Sequence, residues 1–228
     1  TSSQKIIAVT YQGDDARQGD YCRANYPIHH VHEVEEGYYS DFSDSLKRDR
    51  IARFERSAHL IYALNPDLLN VLPKRCRFLP YASVDLDEWK SVGVNEAVDE
   101  PHLIHAPSDR AIKGTKYVES AVERLRSEGI RFRFTLVEGM SNDEAKKIYQ
   151  EADLLVDQLL AGWYGGLAVE LMALGKPVVC YLRQEDLVHV PGEMCEDMPV
   201  VDATPDSIYE VLKDWLTHRK KDLRQRGL

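Results

Sequence analysis

Between residues 101 and about 216, short apolar runs alternate with amphipathic segments, and this alternation leaves few folds open to the chain. It is the pattern of successive βα units that build a parallel sheet. His102-Leu-Ile-His-Ala106 reads as a buried strand, followed by a helix from about Gly114 to Ser127. In that helix Tyr117, Val118, Ala121, Val122 and Leu125 recur at three- and four-residue steps, so they share one face. Glu128-Gly129 ends it, the glycine suiting a helix C-cap. A second unit runs from strand Phe132–Val137 to a helix over Asp143–Glu151, with Ser141 and Asn142 as N-cap candidates. Strand Leu154–Val156 and helix Leu167–Leu174 form a third, then come strands Pro177–Tyr181 and Pro199–Val201 and a helix from Pro205 to about His218. Five strands with intervening helices predict a Rossmann-like, doubly wound α/β sheet.

The first hundred residues are less regular. Ile6–Thr10 and Leu60–Leu64 are strand candidates, with a charged helix between Asp44 and Arg56, as in part of another α/β domain. The polar stretch Lys90–Pro101 has the composition of a connection, so a partial N-terminal domain is expected over 1–90 and a C-terminal domain over 91–228. A net charge of −9 argues against a nucleic-acid partner, because such binding is driven by Lys and Arg releasing counterions from phosphates. No apolar run approaches a membrane span and no secretion signal opens the chain, so a cytoplasmic location is expected. Cys22, Cys76, Cys180 and Cys195 lack the paired spacing of zinc or redox motifs, and His29, His30, His32 and Glu33 lie in a polar stretch without a second ligand pair. Neither a metal nor a cofactor is expected.

Three stretches carry candidate chemistry. The loop Ser108-Asp-Arg-Ala-Ile-Lys-Gly114 follows a strand and precedes a helix, where ligands bind in open parallel sheets. Arg110 and Lys113 there, with the free amides of a helix N-terminus, suit a diphosphate, although the same residues would also serve as a solvated basic loop capping a helix. In Gly162-Trp-Tyr-Gly-Gly-Leu167 the glycines let backbone approach an anion, or simply form a tight turn. Glu170 stands among apolar helix residues, where a carboxylate is costly to bury without partners. A ribose diol would satisfy it, and an exposed helix face is the alternative.

The order of these stretches resembles a known family. Glu151-Ala-Asp153, the glycine loop and Glu170-Leu-Met-Ala-Leu-Gly-Lys-Pro-Val-Val179 are similar to the donor-domain signature of the retaining GT-B glycosyltransferases related to sucrose and glycogen synthases and bacterial mannosyltransferases. Asn65-Pro-Asp-Leu-Leu69, Leu79-Pro-Tyr-Ala-Ser-Val-Asp85 with Trp89, and Thr10-Tyr-Gln-Gly-Asp-Asp15 with Arg17 resemble further family segments, so the likeness spans nearly the whole chain. The resemblance implies a nucleotide-diphosphate sugar donor and a saccharide or lipid-linked acceptor, in bacterial polysaccharide or glycoconjugate synthesis, with peripheral membrane association of the full enzyme. It places Arg110 and Lys113 on the donor diphosphate as catalytic cations. It puts Gly165, Gly166 and Leu167 near the phosphates and Glu170 on the ribose, with Asp157 and Gly13 also at the donor and Gln12 at the catalytic centre.

Two positions depart from the pattern. Gly162 stands where the family usually carries the earlier of two glutamates, and Gln12 where many relatives place a histidine. Glutamine can hydrogen-bond a sugar but cannot titrate. An enzyme of this architecture needs two complete domains, so a fragment or a shortened member is expected. The leading expectation is a metal-independent, retaining glycosyltransferase. The alternatives are a non-catalytic nucleotide-sugar-binding module and a nucleotide-sugar epimerase.

Overall fold

The computed structural model describes residues 5–82, 84–90 and 100–219. The chain divides into two compact units. Unit 1 holds the described residues up to Tyr81 together with Arg183–Glu196, and unit 2 holds those of Ala82–Leu182 and from Asp197 onward. The boundary expected between residues 90 and 91 adjoins 91–99, which lie outside the described residues.

Unit 1 contains β1 (Ala8–Tyr11), α1 (Gly19–Asn25), α2 (Asp41–Ser57), β2 (Leu60–Ala63) and β3 (Arg77–Phe78). The strands form a parallel sheet in the order β1-β2-β3. α2 begins three residues before its predicted start because Ser40 and Ser43 form a reciprocal capping box ahead of it. Tyr11, Ile51, Ile61, Leu68 and Leu72 pack into the apolar core of the unit. Beside that core lies a buried charged network. Arg17 donates from Nε to Asp67 Oδ2 at 2.6 Å and from Nη2 to Asp67 Oδ1 at 3.2 Å, while its Nη1 reaches Asp14 at 3.2 Å.

His29, His30 and His32 lie here too, in a 3-10 turn rather than an open polar loop. His29 and His30 are buried and stacked, with ring centroids 4.0 Å apart. His30 Nε2 meets the Tyr39 hydroxyl at 2.9 Å, and His32 Nε2 donates to the Tyr26 carbonyl at 2.9 Å. Burial, which penalises the charged form, holds the pKa values of His29 and His30 below the ordinary histidine value. These rings serve packing and hydrogen bonding, and among the described residues no three His, Cys, Asp or Glu side chains group as a metal site would.

Unit 2 begins its sheet with β4 (His102–His105) and continues through α3 (Arg110–Lys113), α4 (Thr115–Ser127), β5 (Arg133–Leu136), α5 (Asn142–Glu151), β6 (Leu154–Val156), α6 (Gly166–Ala173) and β7 (Val178–Cys180). After β7 the chain supplies unit 1 with a 3-10 turn (Gln184–His189) and most of α7 (Gly192–Asp197), then adds β8 (Val200–Asp202) and α8 (Ile208–Thr217) to unit 2. The excursion is anchored by Arg183, which stacks on Tyr26 at 3.7 Å and binds Asp186 at 2.8 Å, while Asn70 donates to Asp186 at 2.8 Å.

All five strands of this second sheet are parallel, in the order β5-β4-β6-β7-β8. The Rossmann-like α/β fold is therefore present, with chain direction across the sheet reversing between β4 and β6. The predicted helical stripe is buried as drawn: Val118, Ala121, Val122 and Leu125 pack with Leu212, Trp215 and Leu216 of α8. Gly129, at φ 76°, takes the left-handed conformation that ends α4, and Ser141 caps α5 in a reciprocal box with Glu144.

Candidate functional site

The reversal point of an open parallel sheet leaves a crevice beyond the carboxyl ends of the strands, and unit 2 has a cavity there of about 800 Å³. Its walls come from the segments that follow β4, β5 and β6. Lys113, Glu138, Asn142, Gly166, Leu167 and Glu170 line it, with Trp89, Lys146 and Tyr149.

The segment after β4 is locked to the sheet by His105. Its Nδ1 lies 2.8 Å from the Val156 carbonyl, and its Nε2 lies 2.9 Å from the Thr115 hydroxyl. A carbonyl only accepts, so Nδ1 carries the proton and, in the neutral ring, Nε2 accepts from Thr115. Burial lowers the pKa of His105, which favours that neutral form. Strand β4 and the first residue of α4 are thereby fixed together, and α3 with Lys113 is held between them. Asp109 caps α3 by accepting from the Ile112 amide at 3.0 Å.

Lys113 Nζ binds Asp157 Oδ1 at 2.8 Å, and the Gly165 amide donates to Asp157 Oδ2 at 2.6 Å. The Asp157 side chain is fully buried, so it sits behind Lys113 rather than on the cavity wall. A Cβ at Gly165 would lie 3.2 Å from Lys113 Nζ and 3.4 Å from Asp157 Oδ2, so a side chain there would press on the pair. Gly166 then opens α6, whose first-turn amides have no acceptor within the helix.

Arg110 lies elsewhere. It is exposed, with Nη2 at 2.7 Å from Glu138 and Nη1 at 3.3 Å from Glu119, and it does not line the cavity, whereas Glu138 does. Glu170 is half-buried on α6, and burial raises its pKa against the opposing charge of Lys146. Lys146 in turn lies 3.3 Å from Glu88 and 4.8 Å from the centroid of the Trp89 ring.

Gln12 and Gly13 belong to unit 1. The Gln12 carbonyl accepts from Asn65 at 2.5 Å and from the Tyr81 hydroxyl at 3.3 Å, and Asp15 accepts from the Gln12 and Gly13 amides. A Cβ on Gly13 would meet Arg17 Nη1 at 3.1 Å, so a side chain there would press on the Arg17 network. The Gln12 side chain is exposed. Gly162, at φ 81°, occupies a left-handed turn.

The structure thus brings Lys113, Gly166, Leu167 and Glu170 to one cavity, with Asp157 and Gly165 directly behind Lys113. Sequence reasoning missed Glu138, Lys146 and Tyr149. Their signal was their position, since each falls in or just after a segment following a strand. It also missed His105, which looked like one more residue of a buried strand.

No protein-family model matches the sequence, and no curated protein is found to be similar. Solved structures do resemble the chain. Sucrose-phosphate synthase from Thermosynechococcus elongatus is similar at TM-score 0.50 and 15% identity, over 96% of this chain and 62% of that one. A putative UDP-N-acetylglucosamine 2-epimerase from Listeria monocytogenes gives TM-score 0.48 and 10% identity, over 98% and 62%. The glycotransferase of kitacinnamycin gives 0.38 and 15%, over 82% and 59%. The chain spans about three fifths of the length of each of these neighbours. Among the described residues, no helix is long and apolar enough to cross a membrane. At such low identity, the likeness to the synthase establishes the fold alone, a Rossmann-like α/β architecture of the GT-B kind.

Proposed function

We propose that unit 2 binds a nucleotide-diphosphate sugar in this cavity and that the chain is the donor-binding part of a glycosyltransferase. The observation that carries the reading is the meeting of Lys113, the start of α6 and Glu170 around a single space at the reversal point of the sheet. Lys113 and the α6 amides face the diphosphate and neutralise it as it departs, while Glu170 accepts from the ribose hydroxyls. Transfer on this reading is electrostatic catalysis without a metal, and net retention is the outcome the family resemblance implies. Gln12 and Gly13 keep their proposed roles toward the sugar and the donor. A saccharide or lipid-linked acceptor in bacterial polysaccharide or glycoconjugate synthesis is part of the same proposal.

Anion recognition in this cavity has to be local. Two lysines and three carboxylates line it, so no broad positive field draws a phosphate in. Removing Lys113 should therefore be felt sharply. Lys113→Ala is expected to weaken nucleoside diphosphate binding about 10- to 100-fold in calorimetry, and nucleoside binding far less, as fits a hydrogen bond to a charged group. Arg110→Ala should act in the same direction but less, because its guanidinium must first leave Glu138. Equal losses for diphosphate and nucleoside would contradict the phosphate assignment.

Glu170→Gln is expected to shrink the preference for ribonucleotides over deoxyribonucleotides, since the amide oxygen replaces an ionised acceptor of two hydroxyls. Unchanged discrimination in paired titrations would place that carboxylate elsewhere.

A second reading, a nucleotide-sugar-binding module without turnover, is favoured by Gly162, where the family usually carries a carboxylate. A donor-hydrolysis assay beside the titration separates the two. Sugar interconversion without an added acceptor would indicate an epimerase.

A further inference from the structure

We propose that Asp157 is a positioning residue, which fixes the Lys113 ammonium and the glycine turn ahead of α6 in one register so that both address the same phosphate. The inference rests on the nucleotide-diphosphate reading of the cavity. The two carboxylate oxygens hold different groups. Oδ1 accepts from Lys113 Nζ at 2.8 Å, and Oδ2 accepts from the Gly165 amide at 2.6 Å. These two donors come from different βα segments, one following β4 and the other following β6, on either side of the point where the sheet reverses. Asp157 stands at the end of β6, and its own amide donates to the Val179 carbonyl of β7 at 2.9 Å. The clamp is therefore built on the sheet rather than on the loops it joins.

Three features separate this arrangement from an ordinary ion pair. The Asp157 side chain is fully buried and cannot itself meet a ligand in the cavity, while Lys113 remains 13% exposed and lines it. The ammonium has three donors, of which Asp157 takes one, leaving the others for an anion. The clamp also takes the Gly165 amide, while the next two residues, Gly166 and Leu167, line the cavity at the start of α6. A long, flexible lysine stem would otherwise scatter its charge over many rotamers.

Two interpretations of the pair predict opposite results. If Asp157 only screened Lys113, its removal would free a cation and tighten anion binding. If it positions Lys113, removal weakens binding, because charge without placement loses the directed hydrogen bonds. The test is calorimetry with a nucleoside diphosphate and the matching nucleoside on the wild type, Asp157→Asn, Lys113→Ala and the double variant. Asparagine keeps an oxygen for Gly165 but turns an amide N–H group toward the ammonium. Asp157→Asn is expected to lose about tenfold or more in diphosphate affinity, with the nucleoside unchanged, and to have no further effect in the Lys113→Ala background.

Lys113→Arg supplies an independent readout, since it keeps the positive charge and a partner for Asp157 while moving the donors. It should lose diphosphate selectivity as well. Tighter or unchanged diphosphate binding by Asp157→Asn, or full affinity in Lys113→Arg, overturns the positioning role and leaves the proposed function standing. A wild-type chain that binds the diphosphate no better than the nucleoside overturns both.

Discussion

Arg17→Met is expected to cost unit 1 about 3–5 kcal/mol, the usual penalty for removing one partner of a buried ion pair. The side chains of Arg17 and Asp67 are 8% and 2% exposed, and the guanidinium bonds both oxygens of Asp67. Methionine would fill much of the volume but leave a buried carboxylate without a cation, and would take one of the supports from Asp14. A loss of that size is a large part of the roughly 5–15 kcal/mol that holds a domain folded. Pairing Arg17→Met with Asp67→Leu should recover much of it, because the charge and its counter-charge are then removed together.

The same network fixes the direction of the acid response. Burial works against the Asp14 carboxylate, but the His30 hydrogen bond, the Arg17 charge and the Tyr38 hydroxyl outweigh it and hold its pKa well below the ordinary carboxylate value. A depressed carboxylate contributes stability above its unfolded value of about 4, and that contribution is lost as pH falls. Arg17→Met should therefore flatten the acid limb of unit 1 as well as lower its plateau. Urea unfolding followed by far-UV ellipticity at several pH values reads both effects. All three tryptophans, Trp89, Trp163 and Trp215, belong to unit 2, so their fluorescence is the reference signal. An unchanged ellipticity midpoint would show that the network contributes little.

This network was invisible in the sequence, whereas the second sheet was almost fully legible. Asp14, Arg17 and Asp67 lie in segments singled out by resemblance, but nothing in those segments pairs them, and what makes them consequential is a contact between positions 50 residues apart. By contrast, β4, β6 and β7 were readable because every residue of them is buried and their centres are apolar, and α4 because one face of it must be apolar. The rest of unit 1 was harder for a related reason. β3 is two residues long and α1 seven, too short for a period to register.

The candidate site was legible at the level of segments and less so at the level of partners. The strand-to-helix segments could be placed from periodicity, and Lys113, Gly166, Leu167 and Glu170 duly meet. Arg110 and Lys113 read alike in the sequence, yet the first is drawn to Glu138 and Glu119 and the second to Asp157. Which carboxylate claims a cation depends on side-chain reach across the sheet, and no local pattern encodes that. Asp157 shows the same point, since nothing in its neighbours announces that it joins two loops.

Gly114→Val is expected to cost unit 2 several kcal/mol and to abolish the preference for diphosphate over nucleoside. Gly114 sits between α3 and α4 at φ 75° and ψ 33°, ending one helix and starting the next. A side chain in that left-handed conformation costs about 1–2 kcal/mol, more when branched at Cβ. A Cβ there would also lie 3.2 Å from Leu160 Cγ and 3.3 Å from Leu159 Cβ, in a close-packed region where added bulk typically costs a further ~1–3 kcal/mol. Relieving the contact and the backbone strain displaces the end of α3, and Lys113 is the last residue of α3. Stability and phosphate recognition should therefore fall together, by thermal unfolding and by the paired titration respectively. Gly114→Asn separates the causes, because asparagine tolerates the left-handed region while still carrying a Cβ. It should be milder than Gly114→Val in stability and still impaired in phosphate selectivity. Wild-type melting together with wild-type selectivity in Gly114→Val would show that this turn does not set the position of Lys113.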